Sequence, residues 1–199
     1  ASGNLTFTPA DDAFGSATIT ASAQDNGGGD DTSPIRTFTI TVNAVNDQPS
    51  FTLDVSTVNL VEDSGFNQVT IITSTVRGPA NETTQKVDRY EITGNTNPGL
   101  ITGLEVTSNG ILKATTVSGV TGSTVVTIQL VDNGGTANSG VDTSATQSFT
   151  ITVGPPNFPP DFDLANNLYT HLEDSGSHGV ANFVSNVGPG DVSETGQNV

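Results

Sequence analysis

Carboxylates and side-chain amides cluster in the turn sequences of this chain, and oxygen donors of this kind are the ligands of hard cations. The loop DNGGTANSGVD supplies Asp132, Asn133 and Asp142, and its glycines allow backbone carbonyls to turn inward through positive φ. An earlier loop, QDNGGGDDTS, places Asp25 and Asp31 at corresponding positions. Because Ca²⁺ takes about six to eight oxygens, both loops are candidate calcium sites. Asp-Asn-Gly-Gly is also ordinary turn chemistry, and the two interpretations stay open at this point.

Further candidate ligands lie in a linker and near the starts of repeated units. They are Asn46 with Asp47, Glu62 with Asp63, and Glu173 with Asp174. None of these loops is an EF-hand, because the alternating acidic spacing and the closing bidentate Glu are missing. The fold, rather than one continuous loop, would therefore have to bring the ligands together.

Two histidines near the C-terminal end suggest a second kind of chemistry. His171 and His178 flank Asp174 and Ser175, and a serine, a histidine and a carboxylate are the components of a nucleophilic triad. Such a triad also needs an oxyanion pocket, which no motif in this glycine-rich segment indicates. Solvated histidines are the simpler interpretation. The sequence predicts no catalytic residues and a protein that is not an enzyme.

The overall composition narrows the class of protein. The 199 residues include 21 Asp and Glu against 5 Lys and Arg, a formal net charge of -16. Nucleic-acid binding is not expected, because phosphate contacts need basic residues. No apolar run approaches the roughly 20 residues of a membrane-spanning helix, so no membrane insertion is expected in this segment. Apolar residues alternate with Thr and Ser in strand-length runs, which predicts an all-β fold.

The elements that must position the candidate ligands repeat along the chain. The strand FTITV at 38–42 recurs at 149–153, and VEDSG at 61–65 returns as LEDSG at 172–176. Both offsets are 111 residues (149 minus 38, and 172 minus 61), which indicates one unit of a tandem array. The predicted domains are the C-terminal part of one repeat (1–45), a complete β-sandwich repeat (46–156) and the N-terminal part of a third repeat (157–199).

The two partial repeats do not add up to a complete one. Joined to each other, they would lack the strands that correspond to residues 88–107. The sequence therefore favours a segment of a longer protein over a subunit that its neighbour completes.

Seven candidate strands, separated by Gly, Asn and Pro turns, fill the complete repeat. They are 51–55, 68–75, 86–93, 104–107, 110–116, 123–131 and 145–153. Seven short strands in about 110 residues are typical of a two-sheet sandwich of immunoglobulin type. The predicted core consists of Phe51, Leu53, Leu60, Val69, Ile71, Tyr90, Ile92, Leu104, Leu112, Val126, Ile128, Leu130, Phe149 and Ile151.

The motif FTITVNAVNDQPSF, with DNGG and DTS before it and VEDSG after it, resembles a known repeat class. It is similar to the cadherin-like and immunoglobulin-like tandem repeats of large bacterial surface and secreted proteins, including giant adhesins. The resemblance implies β-sandwich repeats of about 111 residues in an extracellular or cell-surface protein. In cadherins, an Asn-Asp-x-Pro linker and a Glu near the next domain's start hold Ca²⁺ between modules. By that resemblance Asn46, Asp47 and Glu62, with Asp63, would be inter-repeat calcium ligands.

The second linker, VGPPNFPPDF, departs from the first. It has Asn157 and Phe158 where the first linker has Asn46 and Asp47, so it loses a carboxylate and gains prolines. Prolines stiffen an extended connection without any ion. Asp161, Asp163, Glu173 and Asp174 remain as acids near it. The first junction is therefore predicted to depend more strongly on calcium than the second.

The function predicted from these features is a non-catalytic structural repeat of a long extracellular protein. It would form a stiff, calcium-supported stalk or fibre in adhesion, with neighbouring repeats of the same chain, and other copies in a fibre, as its partners. One alternative is a glycan- or surface-binding module, although aromatic residues are only 6% and tryptophan, a common sugar-stacking side chain, is absent. Another is a laterally assembled filament that pairs Thr- and Val-rich edge strands.

Overall fold

The computed structural model describes residues 3–188, and regular structure in this range is almost entirely β-strand. Two short 3₁₀ helices lie in loops, η1 (Ala80–Glu82) and η2 (Ala137–Ser139). The described part contains no helix that is long and apolar enough to cross a membrane. The prediction of an all-β protein with β-sandwich architecture is confirmed.

Thirteen strands follow one another within residues 3–188. They are β1 (Gly15–Ala21), β2 (Arg36–Val42), β3 (Ser50–Leu53), β4 (Thr57–Val61), β5 (Phe66–Thr70), β6 (Ile72–Val76), β7 (Val87–Asn95), β8 (Ile101–Val106), β9 (Ile111–Thr116), β10 (Gly122–Asp132), β11 (Gln147–Gly154), β12 (Asp161–Leu164) and β13 (Val184–Gly188). Strands β3 to β11 form the central module, β1 and β2 the head hairpin, and β12 and β13 the tail pair.

The central module is a sandwich of two layers. One layer is a four-stranded sheet in the order β4-β11-β10-β7, in which β4 runs parallel to β11 and the other pairs are antiparallel. The other layer contains the β3-β6 pair and the β5-β9-β8 sheet. Strands β7 and β8 are thus edge strands of their sheets. The core lies between the layers and consists of side chains from both.

The alternation of apolar and polar residues places the core. In β11, Phe149, Ile151 and Val153 are buried, whereas the residues between them are partly exposed. All fourteen predicted core residues belong to the hydrophobic cluster, ten of them buried and four partly buried. The cluster also contains Val58, Ile72, Leu100, Ile101, Val106, Ala114 and Val153, which the sequence did not single out.

Two strands differ from the sequence prediction. Strand β4 was missed, although its buried residues Val58 and Leu60 alternate with exposed ones. The predicted strand 68–75 is divided at Ile71 into β5 and β6. The backbone N–H groups of Ile71 and Ile72 both donate to the Gly110 carbonyl, at 2.9 and 3.2 Å. This shared acceptor turns Ile71 into the core and moves the chain from one sheet to another.

The head hairpin repeats the pairing of the central module. Gly15 pairs with Val42 as Gly122 pairs with Val153, and Ile19 faces Phe38 as Val126 faces Phe149. The same side chains differ in burial, because Phe38 is 38% exposed and Phe149 only 2%. The head hairpin and the tail pair are therefore exposed on faces whose counterparts are buried within the central module.

The close approach of Gly110 to Ile72 gives a first prediction. Gly110 has a φ of +78°, and a Cβ there would overlap the Ile72 carbonyl oxygen. We expect Gly110→Ala to lower the free energy of unfolding by about 3 kcal/mol in urea denaturation. Gly119→Ala is the matched control, with a φ of +70° and open space around it, and should cost about 1 kcal/mol. Equal losses would contradict a role for the close contact.

Tyr90 gives a second prediction, on alkaline stability. Its hydroxyl is buried without a hydrogen-bond partner, its ring packs edge-on against Phe51 at 5.4 Å, and burial raises the pKa of Tyr90 to about 12. Between pH about 10 and about 12 the unfolded chain releases a proton that the folded chain keeps, so stability falls as pH rises. We expect a loss of about 2 kcal/mol over this interval in urea denaturation, and none from this source in Tyr90→Phe. An equal loss in Tyr90→Phe would assign the decline to other groups.

Candidate cation site at the first repeat junction

The side chain of Asn46 attaches the linker before β3 to the central module. The Asn46 amide nitrogen donates to Asp132 Oδ1 at 3.1 Å and to the Val141 carbonyl at 2.9 Å. The Asn46 carbonyl accepts the Val141 N–H at 2.9 Å. Asn46 is buried, and so is Asp132, which ends β10. The linker is thus held by the loop between β10 and β11.

These contacts also fix the orientation of a second amide. Because the Asn46 nitrogen faces two acceptors, its oxygen faces the other way, where Gln85 Nε2 donates to it at 2.7 Å. The nitrogen of Gln85 is therefore used, and its oxygen Oε1 is left buried without a partner. The hydrogen-bond network, rather than an arbitrary amide assignment, thus identifies Gln85 Oε1 as a free acceptor.

The loop between β6 and β7 supplies a buried carboxylate. Glu82, the last residue of η1, accepts the Asp47 N–H through Oε1 at 3.0 Å. Its other oxygen, Oε2, is buried and has no hydrogen-bond partner. The neighbouring Asn81 donates through Nδ2 to the Asp12 carbonyl at 2.7 Å, and its Oδ1 is likewise unpartnered. The same loop thus contacts both the linker and the chain before β1.

Four unpartnered acceptors of the described residues therefore lie in side chains around the linker: Asn81 Oδ1, Glu82 Oε2, Gln85 Oε1 and Asp132 Oδ2. We call Asn46, Asn81, Glu82, Gln85 and Asp132 the junction cluster. A buried carboxylate oxygen without a donor or cation is costly, and two occur here, on Glu82 (8% exposed) and Asp132 (3% exposed). No Lys or Arg of the described chain forms an ion pair with either carboxylate. The cluster therefore has more hydrogen-bond acceptors than donors.

Glycines allow the cluster to pack so closely. A Cβ at Gly134 would overlap the Asn46 side-chain oxygen, and one at Gly78 would overlap the Glu82 carboxylate. The Gly134 N–H also donates to Asp132 Oδ1 at 2.8 Å, which fixes that carboxylate in an Asx turn. The glycine-rich turn chemistry seen in the sequence thus serves the cluster directly.

Two cavities open onto this junction. One of about 200 Å³ is lined by Asn46, Asn81, Glu82 and Gln85 together with residues of the linker. A second, of about 230 Å³, is lined by Asp12, Asp47 and Asn81 among others. Space for a small ion or water therefore exists beside Asn81, Glu82 and Gln85, whereas Asp132 lines neither cavity.

The structure brings together some of the predicted ligands and separates others. Asn46 and Asp132 are in direct contact, and Asp47 adjoins them. The side-chain oxygen of Asn133 accepts the Lys86 N–H at 2.8 Å, which ties the loop to β7. Asp142 accepts the Asp132 N–H through its backbone carbonyl.

Glu62 and Asp63 lie at the other end of the module. They follow β4, which runs parallel to β11 away from the first linker, and the Glu62 N–H donates to the Gly154 carbonyl at 2.8 Å. Asp63 Oδ1 accepts the Gly119 N–H at 3.3 Å. The grouping of Glu62 with Asn46 and Asp47 is therefore corrected, since the length of β4 separates them and Glu62 adjoins the second linker.

The head loop reproduces the turn of the central module. Asp25 Oδ1 accepts the Gly27 N–H at 3.0 Å, as Asp132 does that of Gly134, and Asp25 N–H donates to the Asp31 carbonyl. Asp31 in turn accepts hydrogen bonds from the Gln24 amide and the Thr32 hydroxyl. The two acids are neighbours in an exposed loop, where these contacts are those of turn chemistry.

In the tail, Glu173 and Asp174 are exposed residues of a turn. The Ser175 hydroxyl and His178 Nε2 are 2.7 Å apart, and the His178 ring stacks on His171 with centroids 3.9 Å apart. All three side chains are exposed. Serine and histidine thus meet as the sequence suggested, but on an open surface rather than in a pocket.

Within residues 3–188, no three His, Cys, Asp or Glu side chains converge as a metal-binding group. The junction cluster consists instead of two carboxylates and three amides. The sequence motifs indicate Asn46 and Asp132 but not Asn81, Glu82 or Gln85. The sequence GPANETTQ contains the signal, because it places two amides and one acid in a turn that precedes a strand, but no spacing rule connects it to the linker.

Comparisons with known proteins add little to this geometry. No family model matches the chain, and no curated protein matches it. Among solved structures, four extracellular cadherin domains of protocadherin gamma B7 align with it at 19% sequence identity and a TM-score of 0.39. The alignment covers 81% of this chain and 38% of that one, so this chain spans well under half of the protocadherin fragment.

Proposed function

We propose that this chain is a non-catalytic structural segment of an extracellular tandem array, in which Ca²⁺ stiffens the first repeat junction in an adhesive stalk or fibre. The single observation that carries the proposal is the junction cluster, with four unpartnered buried oxygens around a linker residue. The repeated strands support the structural role, because an array of like modules gains reach without new chemistry.

The first linker is bound along its length, which supports a stiff connection. Asn138 Nδ2 donates to the Ala44 carbonyl at 3.1 Å, before the cluster, and Gln48 Nε2 donates to the Thr143 carbonyl at 3.0 Å, after it. Pro49 is fully buried immediately before β3. The bonds from Asn46 lie between these contacts. All of these hydrogen bonds are to the end of β10 or the loop between β10 and β11, so the linker is fixed to the central module at several points.

The chemistry of the cluster fits a hard cation better than a second hydrogen-bond donor. Glu82 and Asp132 supply the charge, and Gln85 and Asn81 supply neutral oxygens, which together are the donor types that Ca²⁺ prefers. A bound Ca²⁺ would supply positive charge that offsets two buried carboxylates. The formal charge of -16 acts in the same direction, because an acidic chain attracts cations to its surface.

Calcium and chelator should give different thermal unfolding curves. We expect millimolar Ca²⁺ to raise the melting temperature of the 199-residue chain relative to chelator, because a ligand that binds only the folded state stabilises it. At a free concentration of 100 Kd the gain is about 2.7 kcal/mol. Differential scanning calorimetry measures it, with NaCl at equal ionic strength as the control. Identical curves in Ca²⁺ and chelator would contradict the cation-supported junction.

Isosteric variants of the two buried carboxylates test whether these residues bind Ca²⁺. Glu82→Gln and Asp132→Asn keep the acceptors for the Asp47 and Asn46 N–H groups but remove one charge each. We expect each to weaken Ca²⁺ binding at least tenfold in titration calorimetry, about 1.4 kcal/mol. Neither should lower the melting temperature in chelator, because an uncompensated buried charge has been removed.

Glu62→Gln is the matched control for this pair, since it removes the same charge at the other end of β4. It should leave the tightest Ca²⁺ binding step unchanged. If it weakens that step as much as Glu82→Gln does, the tight site lies at the second linker rather than in the junction cluster.

A further inference from the structure

The side-chain amide of Asn81 faces two different parts of the molecule. Its Nδ2 lies 2.7 Å from the Asp12 carbonyl, which can only accept a hydrogen bond, so the nitrogen of the amide must face that oxygen. Its Oδ1 therefore faces away from Asp12, and it is one of the four buried acceptors without a partner. One amide thus directs its donor to the chain before β1 and its acceptor to the proposed cation site.

The two cavities at the junction show the same division. The cavity of about 200 Å³ has Glu82 and Gln85 in its wall, and the cavity of about 230 Å³ has Asp12. The residues that line both cavities are Phe14, Ala44, Val45 and Asn81. Among these four, Asn81 has the polar side chain. It therefore lies between the buried carboxylate of Glu82 and the chain before β1.

The Asp12 carbonyl belongs to a turn that the central module repeats. Residues 10–13, which we call the head turn, lie immediately before β1, and Asp12 has a φ of +58°. Because Gly15 begins β1 as Gly122 begins β10, Asp12 corresponds to Gly119, whose φ is +70°. The contact to Asn81 uses the carbonyl alone, and glycine occupies the matching position. It therefore depends on the backbone of the head turn and not on the Asp12 carboxylate.

The orientation of the Asn81 amide has a favourable and an unfavourable consequence. It gives Asp12 a donor, and it leaves Oδ1 buried without a partner, at a cost comparable to the free energy of one hydrogen bond. A cation at the junction cluster would contact Oδ1 and remove that cost in this orientation. In the reversed orientation the nitrogen would face the cation and the oxygen would face the Asp12 carbonyl, and both contacts are repulsive. Ca²⁺ binding and the contact to the head turn therefore favour the same orientation of one side chain.

We propose that Asn81 couples the cation site to the head turn, so that Ca²⁺ on Oδ1 holds Nδ2 against the Asp12 carbonyl and thereby sets the orientation of the head hairpin. The inference rests on the proposed Ca²⁺ site and adds the contact through which the stiffening passes beyond the central module. The bonds of Ala44, Asn46 and Gln48 fix the linker to the central module. Asn81 contacts the chain before β1 itself. By linkage, the docked head turn raises the affinity for Ca²⁺ by the same factor by which Ca²⁺ favours docking.

Two substitutions of Asp12 test the coupling from outside the junction cluster. Both remove the carboxylate, but Asp12→Gly still adopts a φ of +58°, whereas Asp12→Val disfavours it and displaces the carbonyl. We expect Asp12→Gly to bind Ca²⁺ as tightly as the unmodified chain in titration calorimetry. Asp12→Val should bind about fivefold more weakly, which corresponds to the loss of one hydrogen bond. Equal affinities of the two variants would overturn the proposal, and an equal loss in both would assign the effect to the carboxylate.

Spin-label distances measure the orientation directly, because the chain has no cysteine of its own. Labels on Thr18→Cys in β1 and Thr73→Cys in β6, both at exposed positions, report the separation of the head hairpin from the central module. In the full-length labelled chain, we expect Ca²⁺ to narrow the distance distribution about twofold. Asn81→Asp should bind Ca²⁺ without this narrowing, since it keeps an oxygen for the cation but has no N–H for Asp12.

The outcomes separate this coupling from the site on which it rests. Ca²⁺ binding without narrowing in the chain with Asn81 would overturn the coupling and leave the proposed site standing. Equal narrowing in Asn81→Asp would also overturn the coupling, because the head hairpin would then be ordered by another contact. Absence of Ca²⁺ binding in titration calorimetry would overturn both proposals.

Discussion

The side chain of Asn46 is the contact on which the arrangement of the first junction depends. One amide satisfies Asp132 and Val141 through its nitrogen and Gln85 through its oxygen. These bonds fix the orientations of Asp132 and Gln85, and each of those two side chains keeps one oxygen without a donor. A buried polar network in which some acceptors stay unsatisfied is costly, and four acceptors around this linker are in that state. The contacts that hold the linker and the surplus of oxygen acceptors both involve the side chain of Asn46 or its partners.

The fold could be predicted from the sequence where apolar residues alternate, and less well where the chain changes sheet. The pattern of β10 and β11 gave their faces correctly, because each buries one side against the opposite layer. The division at Ile71 depends on the Gly110 carbonyl, about forty residues away in sequence, and no local pattern reports such a contact. Strand β4 was missed because its five residues pair in parallel with a strand that lies far along the chain.

The candidate site was predictable only in part, for a related reason. Asn46 and Asp132 stand in recognisable motifs, a linker and an Asp-Asn-Gly-Gly turn, so their residue types were informative. Glu82 and Gln85 lie in a loop with no motif, and the fold alone brings them to the linker. Glu62 was assigned to the wrong end because a motif near the start of a repeat does not reveal which way the next strand runs. The spacing of acidic residues in the sequence does not show which of them the fold brings together.

The two linkers differ at the position of Asp47, where the second linker has Phe158, and the structure shows what Asp47 contributes. Asp47 contributes its backbone N–H to Glu82, and Phe158 at the matching position has a backbone N–H of the same kind. Asn46 has its counterpart in Asn157, so the second linker keeps the amide that orders the first. The carboxylates with surplus oxygens, Glu82 and Asp132, belong to loops of the module that comes after the linker rather than to the linker itself. In the calcium site proposed above, the charged ligands come from loops that follow the linker, and Asp47 takes part through its backbone N–H.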